Sequence, residues 1–492
     1  MSAIRNAVRR STYLDSIVLM RISRQVAALP GVEEAGLVIG TPANKEILRE
    51  ARILGREGDK AEPGDLILAL RAKDGVAAEA ALAEAKRLLD QPAVSGTSSS
   101  QYACRSIRGA IQHMPDANLA LISVPGHFAA AEARKALALA LHVMIFSDNV
   151  PIDDEVALKR EARALRRFVM GPDCGTAIIG GMPLGFANVV PLGAIGIIGA
   201  SGTGIQEVSC LIARAGGGIS HAIGTGGRDL TAEVGATTTL MVIDALDADA
   251  TTKHVVLISK PPAASVTKLV LERVARSPKS FTICFLGAAD LAMPANARCA
   301  LTLKAAAELA MGAAITSEPA QPPVLGSLPG RLVRGLFAGG TLCAEAQIVF
   351  TQAGLPVASN VPAPGASPVT DARGCHLMID LGADEFTRGR PHPMIEPAVR
   401  DRSLAEALAD ADVGVILLDI VLGYGAHADP AGHLASVLVG RDRRPLILAC
   451  VTGTDRDPQS RTAQVRKLTE AGVMVAQSNA DAATLALKAI GS

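Results

Sequence analysis

Two stretches of this chain repeat each other. Residues 196–207 read GIIGASGTGIQE and residues 335–345 read GLFAGGTLCAE. At an offset of 138, Ala200 meets Ala338, Gly202 meets Gly340, Thr203 meets Thr341 and Glu207 meets Glu345. In both, an apolar strand runs into a glycine turn and then into a helix. Both helices stop at the same place, Ala215-Gly216 against Ala353-Gly354, with glycine where a helix end takes a left-handed residue. Ile205, Val208, Leu211 and Ile212 recur three to four apart, so the first helix buries one face. More loosely, HVVLIS (254–259) matches GVILLD (414–419), and FTICFLGAAD (281–290) matches LILACVTGTD (446–455). The pattern predicts two tandem α/β units, each opening with a strand, a Gly-Thr turn and a helix.

The turn itself has a chemistry. It is not a Walker A loop, because Ile205 and Gln206 stand where Lys and Ser/Thr are required. It is not the dinucleotide fingerprint either, which needs glycine where Glu207 sits. Ser201, Gly202 and Thr203 can cap the helix and present free N–H groups to a phosphate or carboxylate. Gly339, Gly340 and Thr341 stand in the same places of the second copy. An ordinary N-cap with glycine for the turn is the alternative.

Punctuation divides the rest into an N-terminal α/β domain (1–98), a βαβ domain (99–188) and the two repeat-bearing domains (189–325 and 326–492). SGTSSS (95–100) reads as a linker, and the Pro-rich EPAQPPVLGSLPG (318–330) separates the last two. GLVIG (36–40) and DLILALRA (65–72) read as strands and 79–90 as a helix. In the second domain LALISVPG (119–126) and HVMIFSD (142–148) flank an Ala-rich helix over 128–141. Alternating strands and helices predict doubly wound parallel sheets, with ligands beyond the strands' carboxyl ends. The Gly-Thr turns lie at such ends.

Charge and cysteine usage narrow the function classes. Lys+Arg and Asp+Glu are equal at 48 each, so no net field draws nucleic acid or an anionic membrane. The longest apolar run, ALALALHVMIF (136–146), is too short to span a bilayer. Eight cysteines without a CxxC pair predict a reduced, cytoplasmic protein with no metal centre.

Longer motifs resemble a known family. VPGHFAAAEARKALALALHVMIFSDNVP followed by GPDCG (171–175) is similar to the nucleotide-fold domain of the succinyl-CoA synthetase α subunit. GAIGIIGASGTGIQEV followed by AIGTGGRDL (222–230) is similar to that subunit's ligase domain. HLMIDLGADE (376–385) and VILLDIVLGYGAHADPAG (415–432) resemble the β-subunit ligase domain. With GTPANKE (40–46) and RGLFAGGTLCAEA (334–346), the whole arrangement resembles the FdrA family over nearly its full length. The resemblance implies a Rossmann-like (CoA-binding-type) second domain and two flavodoxin-like ligase domains. It also implies a subunit of oxamate carbamoyltransferase, cleaving oxalurate with phosphate to oxamate and carbamoyl phosphate in purine and allantoin degradation. Partner subunits from the same operon and small carbamoyl and phosphate substrates follow from it. A bound cofactor is not expected, with CoA or nucleotide left open. Alternatives are an NDP-forming acyl-CoA synthetase and a non-catalytic subunit that kept the fold.

Departures from the synthetase pattern bear on that choice. The synthetase relays phosphate through a histidine in a Gly-His-Ala-Gly loop, and the corresponding stretch here, 285–307, contains no His. The strand before it ends in Ser259-Lys260-Pro261 where the synthetase places an orienting Glu. Covalent relay therefore has no carrier in this chain. The resemblance further implies that the two Gly-Thr turns converge on one anion. Arg228, in GTGGRDL, is then a candidate to pair with a carboxylate or phosphate. LGYGAHADPAGH (422–433) follows a buried strand and places Asp419, Tyr424, His427 and Asp429 at its carboxyl end. His427 is the candidate proton donor to the leaving nitrogen, with Tyr424 and Asp419 beside it. The alternative has Asp419 and His427 merely holding a glycine loop. Cys174 reads as structural.

Overall fold

The computed structural model describes residues 2–491 apart from 13, 15, 91–103, 105, 289–290, 316–329, 372–373, 388–390 and 440–444. The segment 95–100 and nearly all of 318–330 lie outside the described residues. Met1–Ala103 with Asp384–His392 form one compact unit, and Cys104–Ala383 with Pro393–Ser492 a second.

The first unit is an antiparallel sheet of β1 (Ala3–Arg9), β2 (Val32–Ile39) and β3 (Leu66–Ala72) in the order β1-β3-β2. Successive side chains of β3 point to opposite faces. Leu66, Leu68 and Leu70 meet Leu19, Ile22 and Val26 of the Ser16–Ala27 helix and Ala78, Ala81 and Ala85 of the Gly75–Asp90 helix. Ile67 and Ala69 meet Leu48, Ile53 and Ala61 on the other face. Burial on both faces explains why β3 reads as an unbroken apolar run.

The second unit carries three sheets. β4 (Leu119–Ile122), β5 (His142–Ile145) and β6 (Val169–Met170) are parallel, joined by the helices Gly126–Ala138 and Ile152–Ala164. The first residue of the first helix must be glycine, because a Cβ at position 126 would lie 2.1 Å from the Asp148 carbonyl oxygen. β7 (Thr176–Ile179) and β8 (Met182–Gly185) form a hairpin. This hairpin pairs antiparallel with β10 (Ile219–Gly224), so residues 176–185 extend the next sheet rather than the three-stranded one.

β9 (Leu192–Gly199), β10, β11 (His254–Ser259), β12 (Ser280–Phe285) and β13 (Ala297–Cys299) complete that sheet in the order β13-β12-β11-β9-β10-β7-β8. Its parallel part has the flavodoxin-like order, with the chain's change of direction between β9 and β11. The third sheet is parallel throughout. It comprises β14 (Leu332–Phe337), β15 (Val357–Ser359), β16 (Ser367–Pro368), β17 (His376–Asp380), β18 (Val413–Val421), β19 (Leu446–Thr452) and β20 (Met474–Ala476), in the order β16-β15-β17-β14-β18-β19-β20. Here β17 is inserted beside β14, an addition to the simpler order of the first copy. The expected multidomain α/β architecture is what the chain adopts. No helix among the described residues is long and apolar enough to cross a membrane.

Candidate functional site

Each Gly-Thr turn leaves a central strand: β9 lies between β11 and β10, and β14 between β17 and β18. The first turn leads into the Gly202–Arg214 helix, the second into Gly340–Gln352. Ser201 caps its helix, its Oγ accepting the Gly204 N–H at 3.0 Å, and so leaves the N–H groups of Gly202 and Thr203 unspent by the cap. Gly339 caps the second helix without any side-chain hydrogen bond.

The two helix starts meet. Ser201 Oγ hydrogen-bonds Thr341 Oγ1. A Cβ at Gly339 would stand 3.0 Å from Thr203, and one at Gly204 would stand 3.3 Å from Thr341 Cγ2, so the glycines allow the approach. Thr341 is buried, while Ser201, Gly202, Thr203 and Gly340 keep part of their surface.

Carboxylates distinguish the second turn. Asp419, at 0% exposure, receives the Ala338 N–H on Oδ1 and the Gly339 N–H on Oδ2, both at 2.7 Å. Arg400 donates Nη2 to Asp419 Oδ1 at 2.7 Å and Nη1 to its backbone carbonyl at 2.9 Å. Asp419 is therefore fully engaged as a brace behind the turn. Asp380 stands at the helix start itself: a Cβ on Gly340 would lie 2.5 Å from its Oδ2. A cavity of about 20 Å³ beside the brace is lined by Arg400, Asp401, Asp419, His433 and apolar side chains. That is room for about one water, and Arg400 Nε there has no protein partner.

The loop after β18 lies on residues 186–188. Gly423 (φ +113°) would carry a Cβ 2.6 Å from the Ala187 oxygen, and Gly425 (φ +79°) one 2.7 Å from the Phe186 ring. Gln459 fixes this loop, accepting the Gly423 N–H and donating to the Gly423 and His427 carbonyls. Tyr424 is 47% exposed and tied down by its N–H to the Ala187 carbonyl. His427 Nδ1 accepts the Asp429 N–H at 3.1 Å, which places the neutral ring's proton on Nε2. Asp429 is the N-cap of the Pro430–Leu438 helix. Burial works against its charge, but the Lys467 ammonium at 2.6 Å and the Gly432 and Gln464 donors hold its carboxyl below the usual range.

Arg228 is not brought to the turns by any contact. Its Nε donates to Glu155 Oε2 at 2.9 Å and its Nη2 to the Val150 carbonyl at 2.8 Å, so the candidate anion ligand is already paired with a buried carboxylate. The same Glu155 pairs with Lys159, which also meets Asp229, all three buried. Asp229 in turn caps Thr238 and Thr239. This neutral ion network ties the Ile152–Ala164 helix to the GTGG loop. Nothing in the sequence marked the network, because its members are up to 74 residues apart. Lys260 is exposed, and Cys174 is buried with its thiol pushed up to about 12 by desolvation, which makes it inert.

Comparison with known proteins follows the same division of the chain. A CoA-ligase family model matches residues 336–489 and a CoA-binding domain model residues 192–287. The latter falls on β9–β12, whereas the resemblance placed a CoA-binding-type domain at 99–188. Over 508 aligned positions, covering 98% of both chains, the protein is 40% identical to the uncharacterized protein YahF of Escherichia coli K12. It belongs to the YahF family. It is also 30% identical over 121 residues to the succinate–CoA ligase [ADP-forming] subunit alpha of Methanothermobacter thermautotrophicus, a match spanning 24% of this chain and 41% of that one. A solved ATP citrate lyase from Methanothrix soehngenii, in complex with citrate and coenzyme A, aligns at 17% identity and a TM-score of 0.34 over 42% of this chain and 36% of that one.

Residues 1–104 match a model described as the AllF heavy metal-associated domain. The residues do not fit a soft metal. Positions 1–103 contain neither Cys nor His, and no group of three or more His, Cys, Asp or Glu able to hold a metal occurs among the described residues.

Proposed function

We propose that the chain is a subunit of an acyl-transferring enzyme of the CoA-ligase class. In this reading the group moves directly between phosphate and a second acceptor. The observation that carries it is the stretch after β12, where residues 285–307 contain no histidine to be phosphorylated. The reaction we assign is phosphorolysis of oxalurate to oxamate and carbamoyl phosphate, with partner subunits completing the enzyme in the cytoplasm.

Phosphate is held at the first turn, by the Gly202 and Thr203 N–H groups and the positive end of their helix. A phosphate oxygen bonds to the carbamoyl carbon, and the bond from that carbon to the oxamate nitrogen breaks. The nitrogen takes a proton, for which His427 Nε2–H is our candidate donor, with exposed Tyr424 beside it. The second turn contributes Thr341 and a fixed wall, since Asp380 already stands at its helix start and Asp419 holds the amides of Ala338 and Gly339 just before it. No step needs a bound cofactor.

ADP-forming CoA ligation is the second reading, favoured by the CoA-ligase match over 336–489. One experiment separates them. The purified chain, alone and with its operon neighbours, is assayed for carbamoyl phosphate from oxalurate plus phosphate, and for acid-labile phosphate after labelled ATP or GTP with magnesium. Carbamoyl phosphate without protein phosphorylation supports the first reading; stoichiometric phosphohistidine overturns it.

A further inference from the structure

Glu207 and Glu345 occupy matching places in the repeat, in the second turn of each helix, and both are wholly buried. Among the described residues neither forms an ion pair. Their carboxylates are exchanged across the joint between the two larger sheets. Glu345 Oε1 accepts the N–H of Leu303, first residue of the Leu303–Met311 helix, at 2.6 Å. Glu207 Oε1 accepts the N–H of Asn479, first residue of the Asn479–Ala489 helix, at 3.2 Å. Thr302 and Ser478 cap these helices but bond Ala305 and Asp481, so each first amide depends on the opposite unit's glutamate.

Asn479 ties the halves together. Its Nδ2 donates to Glu345 Oε2 at 2.8 Å and to the Leu342 carbonyl at 2.9 Å. Leu342 follows Thr341, the residue that meets Ser201.

We propose that this joint is proton-gated: Asn479 reads whether Glu345 is ionised and turns its amide over when Glu345 takes up a proton from solvent. An ionised carboxylate only accepts, and the present contacts suit it. A protonated Glu345 has an O–H to donate, and when the Asn479 amide turns over its carbonyl oxygen accepts it; the bonds from Nδ2 to Leu342 and from the Cys450 thiol to Oδ1 are then given up. The proton on Glu345 is thereby coupled to the contact between the two turns.

Burial pushes Glu345 up to about 7, and the charges of Glu207 and Asp481 push the same way against the Asn479 and Leu303 donors. Asp481 is itself paired with Lys304 at 2.8 Å. The thiols of Cys284 on β12 and Cys450 on β19, which also feel Glu345, are held protonated by burial. The unfolded chain releases this proton near 4.5, so the stability it contributes is full below that pH and is lost as pH rises through about 7.

Hydrogen exchange tests the gate on the intact protein. Amide protection in 340–352 and 479–489, corrected for intrinsic rates, is followed from about pH 5.5 to about pH 8.5. The wild type should show a step with its midpoint near 7. Glu345→Gln should abolish the step, and Glu207→Gln should move it to lower pH by removing a like charge. No step in the wild type, or the same step in Glu345→Gln, overturns the proposal. If Glu345→Gln does not fold, an unmoved midpoint in Glu207→Gln overturns it equally.

Discussion

The two Gly-Thr turns share a sequence pattern but differ in what stands around them. The first is capped by its own Ser201, meets no carboxylate on its amides among the described residues, and faces the Thr176 hydroxyl, 3.0 Å from where a Gly202 Cβ would be. The second is braced from behind by Asp419 and Arg400 and has Asp380 at its helix start. A free amide pair at a helix start attracts an anion; a helix start already faced by a carboxylate, as Asp380 faces Gly340, does so less. Repeated sequence thus preserved the backbone while the surroundings of the two helix starts became unlike.

The largest effect should come from removing the brace. Asp419→Ala leaves Arg400 buried without its partner and strands two amides, at a cost of about 3–5 kcal/mol by denaturant unfolding. A stable Asp419→Ala protein that had only lost activity would return Asp419 to the chemistry. His427→Ala should lower turnover of the assembled enzyme by ~10²-fold with unchanged melting, as expected for a lost proton donor. Unchanged turnover would leave His427 as a loop-holding residue.

Gly340→Asp should destabilise by about 1–3 kcal/mol, because the new side chain meets the Asp380 carboxylate. Ser201→Ala should cost only about 1 kcal/mol, the usual value of an N-cap. A cost as large as that of Asp419→Ala would erase the difference between the turns.

Much of this arrangement was legible in the sequence. The repeat predicted two strand–turn–helix starts, and the chain has them at Gly199–Gly202 and Phe337–Gly340. β1 was missed because AIRNAVR carries Arg5, Asn6 and Arg9 and shows no apolar run. The hairpin Thr176–Gly185 had a usable signal, Gly180-Gly181 between two apolar runs, with both glycines at positive φ. The commitments of Asp419 and Arg228 were not legible, because a candidate ligand and a satisfied ion pair look alike until the partner is known. Arg400 and Glu155 are those partners, 19 and 73 residues away. Glu207 and Glu345 were visible as a matched pair, but their exchange across the joint depends on where the two closing helices begin.

Calorimetric titration of inorganic phosphate into the assembled enzyme, wild type against Gly202→Asp, tests the central claim most directly. Gly202 lies at a partly exposed helix start, so the variant should fold. Its carboxylate would occupy the first turn's donors and oppose the helix dipole, weakening phosphate by about tenfold or more while the melting temperature stays within a few degrees. Wild-type phosphate affinity in Gly202→Asp would contradict the account and place the anion away from the first turn.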